Sequence, residues 1–232
     1  EEGLDPLVYC DRMEQEFRST WGRLDVSFDD FIRTTEPRHR AAVTELTRRI
    51  HAAGDIYAGE YEGWYCVGCE AFKQEKDLVE GRCPLHLTTP QWIKEKNYFF
   101  RLKKHQDWLI EHLNTHPDFI FPKYRHKQVL EFLKEPLNDL CISRPRERLE
   151  WGIPLPWDPS QVVYVWFDAL LNYITATGYG QDDANFARRW PATHIVGKDI
   201  LRFHAVIWPA MLMAAGIDVP HQVYGHGWLL VG

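Results

Sequence analysis

The chain has 232 residues, a formal charge of −6, and 45% apolar and 14% aromatic content, enough for a sizeable core in one large domain or two. The acidic balance excludes attraction to nucleic acid through bulk charge, so any such contact must be local, and no DNA partner is expected. No run of about 18 apolar residues occurs, no secretory signal opens the chain, and three of the five cysteines sit in one motif; these features argue against a membrane span and a disulfide framework and for a reducing cytoplasm.

Asp5-Pro6 reads as an N-cap followed by Pro at the first helical position. Cys10, Met13, Phe17 and Trp21 then recur every three or four residues, which predicts a helix with one buried face, stopped by Gly22. Phe28 to Arg33 reads as a short strand. Pro37 opens a second helix, with Val43, Leu46 and Ile50 inward and Gly54 as its stop. Ile56-Tyr57, Tyr61 to Tyr65 and Tyr98 to Leu102 read as short strands. Trp108 to Leu113 and Val129 to Leu133 read as helices on either side of a Pro-containing turn. The basic residues from Lys123 to Lys127, and Arg144, Arg146 and Arg148, read as a solvated face. Ser143-Arg144-Pro145 and Trp151 to Trp157 form an extended, Pro-stiffened link.

In the last third, Val162 to Trp166 reads as an apolar strand, and Ala169, Tyr173 and Ala176 carry helical spacing. His194 to Val196 is a short strand entering Gly197-Lys198-Asp199. Ile200 to Met213 is helical and ends near Gly216, and Val223 to Val231 is a last strand. Strand–helix alternation at both ends predicts a parallel α/β sheet with ligands at the strand C-terminal ends, interrupted by the middle block.

Two pairs dominate the middle block: Cys66-Val67-Gly68-Cys69 and Cys83-Pro84-Leu85-His86. Each pair can wrap one edge of a tetrahedron, and Gly68 lets the backbone turn between the first two thiols. Three Cys and one His close a four-coordinate zinc, which is structural rather than catalytic chemistry; the plain alternative is unrelated thiols and a surface His. Zinc would also supply the fixing energy for a block that buries little by itself.

Three features of the last third bear on ligands. Trp166, Leu170 and Tyr173 share one helical face, and Phe203, His204 and Trp208 lie on the next helix. Together they read either as core or as an aromatic pocket suited to a thioether. Gly197 and Asp199, where a strand gives way to a helix, read as a ribose-facing turn or as a simple N-cap. Gly225-His226-Gly227 reads as bare backbone for a purine or as a tight strand end.

Tyr-Val-Trp-Phe-Asp-Ala-Leu (164–170), Val-Gly-Lys-Asp-Ile (196–200), Phe-His-Ala-Val-Ile-Trp-Pro (203–209), Ile-Ser-Arg-Pro (142–145) and Trp-Gly-Ile-Pro-Leu-Pro (151–156) resemble methionyl-tRNA synthetase, in the same order over most of the chain. The knuckle beginning at Cys66 resembles the family's single zinc knuckle. The resemblance implies a class I synthetase core: an α/β Rossmann-type parallel sheet, here incomplete, interrupted by a small zinc-binding connective insertion. Residues 1–54 would begin the catalytic domain, 55–160 would form the insertion, and 161–232 would complete the second half.

The implied activity joins methionine to ATP, with Mg2+, as methionyl-adenylate and transfers it to tRNA(Met). Trp166, Leu170, Tyr173, Phe203, His204 and Trp208 would hold the methionine side chain, with Leu170 where some members have Pro, and Asp168 would support them. Gly197 and Asp199 would face the ribose, and His226 and Gly227 the adenine. Cys66, Cys69, Cys83 and His86 would hold zinc. The family's His-x-Gly-His turn and Lys-Met-Ser-Lys-Ser loop do not occur in these residues, so the chain by itself is expected to bind methionine but adenylate it poorly. A methionine-sensing module on the same fold, or a class I synthetase for another apolar amino acid, are the competing expectations.

Overall fold

The structure, a computed structural model, describes residues 3–69, 71–73, 75–228 and 230. It divides into two compact units, Glu1–Arg33 and Thr34–Gly232.

The first unit is built on helix α1 (Pro6–Arg23). Asp5 caps it by accepting the N–H groups of Leu7 at 2.9 Å and Val8 at 3.2 Å, which satisfies donors the first turn leaves unpaired. The expected buried face is not there: α1 has no buried residue, Cys10 is exposed, and Phe17 is 53% exposed. Residues 28–33 are not a strand either. Arg33 instead ties them to Asp11 and to Glu14 (3.0 Å), and Arg18 lies 4.5 Å above the Phe31 ring. A unit of this size has no second layer within itself to bury a helical stripe.

In the second unit, α2 (Pro37–Ala52) buries Val43, Leu46 and Ile50 as the periodicity requires, together with His39, Ala42 and Thr47. Gly54, at φ +77°, and Asp55 close it: the Gly54 N–H reaches His51 O and the Asp55 N–H reaches Ile50 O, the paired bonds of a Schellman stop.

The two short strands expected after α2 are one, β1 (Ile56–Cys66). It is flanked by β2 (Ala71–Lys73) and β3 (Gln91–Phe100), and it pairs with β3 without a register break from Ile56↔Phe100 to Tyr65↔Gln91. This hairpin is an arm with the cysteine pairs at its far end. Leu102 leaves the strand and enters a 3-10 turn, Leu102–His105. Helix α3 (Gln106–Thr115) and α4 (Lys123–Phe132) appear as expected, but the turn between them holds a strand, β4 (Ile120–Phe121). β5 (Leu140–Cys141) completes the arm's four-stranded sheet, in the order β2-β1-β3-β5.

β6 (Ser143–Pro145), β7 (Pro154–Leu155) and β8 (Asp158–Val163) form a separate antiparallel sheet. The strand expected at Val162–Trp166 therefore ends at Val163, and α5 (Val165–Ala169) starts two residues later. Its apolar run continues through the junction because Phe167 and Leu170 are buried from the helix rather than from a strand. α6 (Asn172–Thr177) follows after a turn, so Trp166, Leu170 and Tyr173 do not lie on one continuous helix. α7 (Asp183–Arg189) precedes β9 (Thr193–Gly197). The next helix contains a π-helical turn, Phe203–Ile207, before α8 (Trp208–Ala214). β10 (Gln222–His226) is shorter than the expected Val223–Val231; Leu229, Val231 and Gly232 lie outside the described residues.

The parallel sheet has the order β4-β10-β9. β9 and β10 are joined through α8, the crossover that a parallel pair requires. Leu201, Ala205, Val206, Trp208, Met211 and Leu212 pack it onto the core. Among the described residues no helix is long and apolar enough to cross a membrane.

Candidate active site and metal centre

The parallel pairing sets His226 opposite Gly197 at the C-terminal ends of β10 and β9. The Lys198 N–H donates to His226 O at 3.0 Å, which closes the two strand ends together. Gly197, Asp199, His226 and Gly227 thus share one sheet edge, where open α/β sheets take ligands. Gly197 cannot carry a side chain here, because a Cβ would lie 2.5 Å from Asp199 Oδ1. The exposed Asp199 carboxylate folds over that glycine and accepts no N–H of the following helix among the described hydrogen bonds, so it does not act as a simple N-cap. Lys198 reaches out over the Trp228 ring at 5.1 Å, a cation at the same edge that sequence reading passed over.

The aromatic residues lie next to this edge, on α5, α6 and the helix after β9. Tyr173 Oη is 2.7 Å from His204 Nε2, and His204 Nδ1 is 2.9 Å from the Ile200 carbonyl. A carbonyl only accepts, so Nδ1 carries the imidazole proton, Nε2 accepts, and Tyr173 donates. Burial pushes the Tyr173 phenol up to about 12 and holds His204 below its ordinary value, the bond to Ile200 opposing the latter. Both are neutral near pH 7. The Trp208 N–H reaches back five residues to Phe203 O, so the π-helical turn sits under Phe203 and His204, a distortion that recurs at functional sites.

Trp208 is fully buried, and its indole N–H donates to His194 Nε2 at 3.1 Å. His194, from β9, also lies flat near Tyr173 with ring centroids 4.1 Å apart. It was missed because an isolated His in a short apolar strand carries no pattern of its own. Trp166 and Phe203 stack at 4.2 Å, away from this buried group, and line a cleft of about 620 Å3. Leu170 is buried beneath them. Asp168 is anchored by His39 of α2, whose Nε2 lies 2.5 Å from Asp168 Oδ1, and this fixes α5 against α2.

The cleft's opposite wall comes from the arm: Cys69, Lys73 and His86 face it, with Arg144 and Arg202 from the body. At the arm's end, Cys66, Cys69, Cys83 and His86 bring their ligand atoms within 4.8 Å of one another and could hold a metal ion. Individual separations are 3.5 Å for Cys69–Cys83 and 3.2 to 3.9 Å from the sulfurs to His86 Nδ1. A tetrahedron with bonds of about 2.0–2.3 Å has edges of roughly this length, so the residues fit the group. Gly68 matters here for space: a Cβ would lie 2.6 Å from the His86 ring. Burial pushes Cys83 up, but the bonds from His86 and the Leu85 and His86 N–H groups outweigh it and hold the thiol down to about 6.

The family model for tRNA synthetases class I (M) matches residues 1–89 and 74–232. The chain is 49% identical over 234 residues to methionine–tRNA ligase of Thermosynechococcus vestitus, covering 98% of this chain and 44% of that protein. It is 46% identical over 233 residues to the ligase of Caldanaerobacter subterraneus subsp. tengcongensis, covering 100% of this chain and 36% of that protein. Among solved structures, Mycobacterium tuberculosis methionyl-tRNA synthetase bound by methionyl-adenylate superposes with a TM-score of 0.90 and 44% identity, over 97% of this chain and 46% of that one. The chain spans less than half the length of these relatives.

Proposed function

Because the chain belongs to the class I (M) tRNA synthetases, we propose that it supplies the methionine pocket and the adenosine-facing edge of an enzyme that activates methionine with ATP and charges tRNA(Met). The observation that carries this reading is adjacency. The buried aromatic group around Tyr173, His204 and Trp208 sits on the helix that follows β9, and the C-terminal end of β9 lies beside that of β10. An amino acid held by the first would point its carboxylate toward a nucleotide held by the second.

In this reading Trp166, Leu170, Tyr173, Phe203, His204 and Trp208 enclose the methionine side chain. Asp199 accepts the ribose hydroxyls over Gly197, and the backbone at His226 and Gly227 meets adenine. Asp168 and His39 keep the Trp166 helix in place. Mg2+ would travel with ATP. The metal at Cys66, Cys69, Cys83 and His86 is zinc, which supplies a structural clamp with no open position. The arm that carries it belongs to the connective insertion at 55–160, set between catalytic segments 1–54 and 161–232, with β4 as the insertion's own strand in the nucleotide-binding sheet. Lys73, Arg144 and Arg202 in the cleft support an anionic partner there, the 3′ end of tRNA(Met).

Methionine-dependent exchange of pyrophosphate into ATP, measured on the polypeptide carrying this chain, tests the proposal. Exchange that requires methionine and is weak with leucine is expected. Equal exchange with leucine would overturn the assignment of the amino acid, and methionine binding without any exchange would reduce the site to a binding module.

A further inference from the structure

The donors of the aromatic wall can be followed one by one. The Tyr173 O–H goes to His204 Nε2, the His204 Nδ1–H goes to Ile200 O, and the Trp208 indole N–H goes to His194 Nε2. Behind them, the Trp190 indole N–H is taken by Asp218 O at 2.8 Å. Trp190 stands edge-on to Trp208 at 6.2 Å and tilted to His194 at 5.9 Å. The wall is therefore polar in composition but offers no unspent donor of its own.

His194 is the acceptor without which that account fails. It is 2% exposed and comes from β9. Its ring packs on Tyr173 while its Nε2 holds Trp208, so it touches both walls of the group from behind. A neutral imidazole that accepts at Nε2 carries its proton on Nδ1. A phenyl ring in its place would keep the packing and lose only the acceptor.

We propose that His194 is a positioning residue of the side-chain pocket, one that fixes the Trp208 indole and spends its N–H so that the wall favours a thioether over an oxygenated side chain of similar length. The proposal rests on the reading of this group as the methionine pocket. Its chemistry is that of an unpaired donor: a wall indole N–H without His194 would reward an acceptor such as the oxygen of methionine sulfoxide, which the intact wall cannot do.

Two measurements test it. The first is independent of any ligand. In 15N-tryptophan-labelled chain, with the Trp208 signal identified by Trp208→Phe, the indole N–H should shift and exchange faster with water in His194→Phe, and should stay protected in His194→Gln, which keeps an acceptor. The second is the ratio of methionine to methionine sulfoxide affinity in the polypeptide carrying this chain. It should narrow about five- to tenfold in His194→Phe and return toward the wild-type ratio in His194→Gln. General destabilisation would weaken both ligands together and leave the ratio unchanged. An unperturbed Trp208 indole in His194→Phe, or an unchanged ratio there, overturns the proposal. If wild-type protein ignores methionine, the pocket reading fails, and the indole signal still decides whether His194 holds Trp208.

Discussion

His194 and Gly68 are the residues whose environments make the sharpest demands. Burial, and then the neighbouring His204, push the His194 imidazole from its ordinary 6.5 down to about 3. An unfolded chain would take up that proton near pH 6.5, whereas the folded chain resists it. The associated stability is whole above pH 6.5 and drains as the pH falls toward 3, with a slope approaching about 1.4 kcal/mol per pH unit for this group. Urea unfolding midpoints should therefore drop between pH 7 and 5, and the drop should be shallower in His194→Gln; parallel curves would count against a buried neutral imidazole. At Gly68, the His86 ring occupies the space a methyl would need. Gly68→Ala should weaken metal retention by displacing His86, and Cys69→Ser should abolish it. Native mass spectrometry should find one zinc per wild-type chain; a full complement in Cys69→Ser would remove the metal assignment. The ligand set was legible because its spacing is a rule of coordination. The importance of Gly68 was legible too, though for a different reason than the one the structure gives: close approach of a ring rather than a turn.

At the scale of elements, the functional edge depends on how α5 is held. His39 is completely buried on α2 and meets Asp168 at 2.5 Å and Thr175 Oγ1 at 3.4 Å. It thus links three helices, one of which carries Trp166. His39→Ala should cost about 2–3 kcal/mol, since it leaves a mostly buried carboxylate without its partner, and should loosen the Trp166–Phe203 stack, visible in near-ultraviolet circular dichroism. A loss under about 0.5 kcal/mol would mean that α5 is held by packing alone. Neither His39 nor its partner was paired in sequence, because they are 129 positions apart. The Asp168 position was read as supporting only through resemblance. Helices α2, α3, α4 and α8 and strand β9 announced themselves through period and caps. β8 was misjudged because Val162 to Phe167 is apolar throughout, and a continuous run does not say where a strand hands over to a helix. β4 has two residues beside a Pro and leaves no periodic trace.

At the scale of the whole molecule, the two units were unequally legible. The second has a core large enough to realise its patterns. The first keeps its helix and its cap but buries none of the stripe that its sequence advertises. Periodicity reports a capacity to be buried, which only a neighbouring layer can use. The parallel sheet carries a related exposure: β9 pairs with β10 and with no other described strand, and Ile195 on it is 75% exposed. Open edges of that kind recruit other chains. Sedimentation should show association that grows with concentration and is reduced in Ile195→Lys; a monomer at all concentrations would mean the edge is protected. The central claim concerns the aromatic group beside this sheet, and methionine affinity in the polypeptide carrying the chain tests it most directly, by tryptophan fluorescence in wild type, His204→Ala and Trp208→Ala. The account predicts saturable binding, weaker for leucine, and a loss of about tenfold or more in each variant, with Trp208→Ala also losing roughly 3–5 kcal/mol of stability to the cavity it opens. Unchanged methionine affinity in both folded variants would contradict it and return Tyr173, His204 and Trp208 to ordinary core.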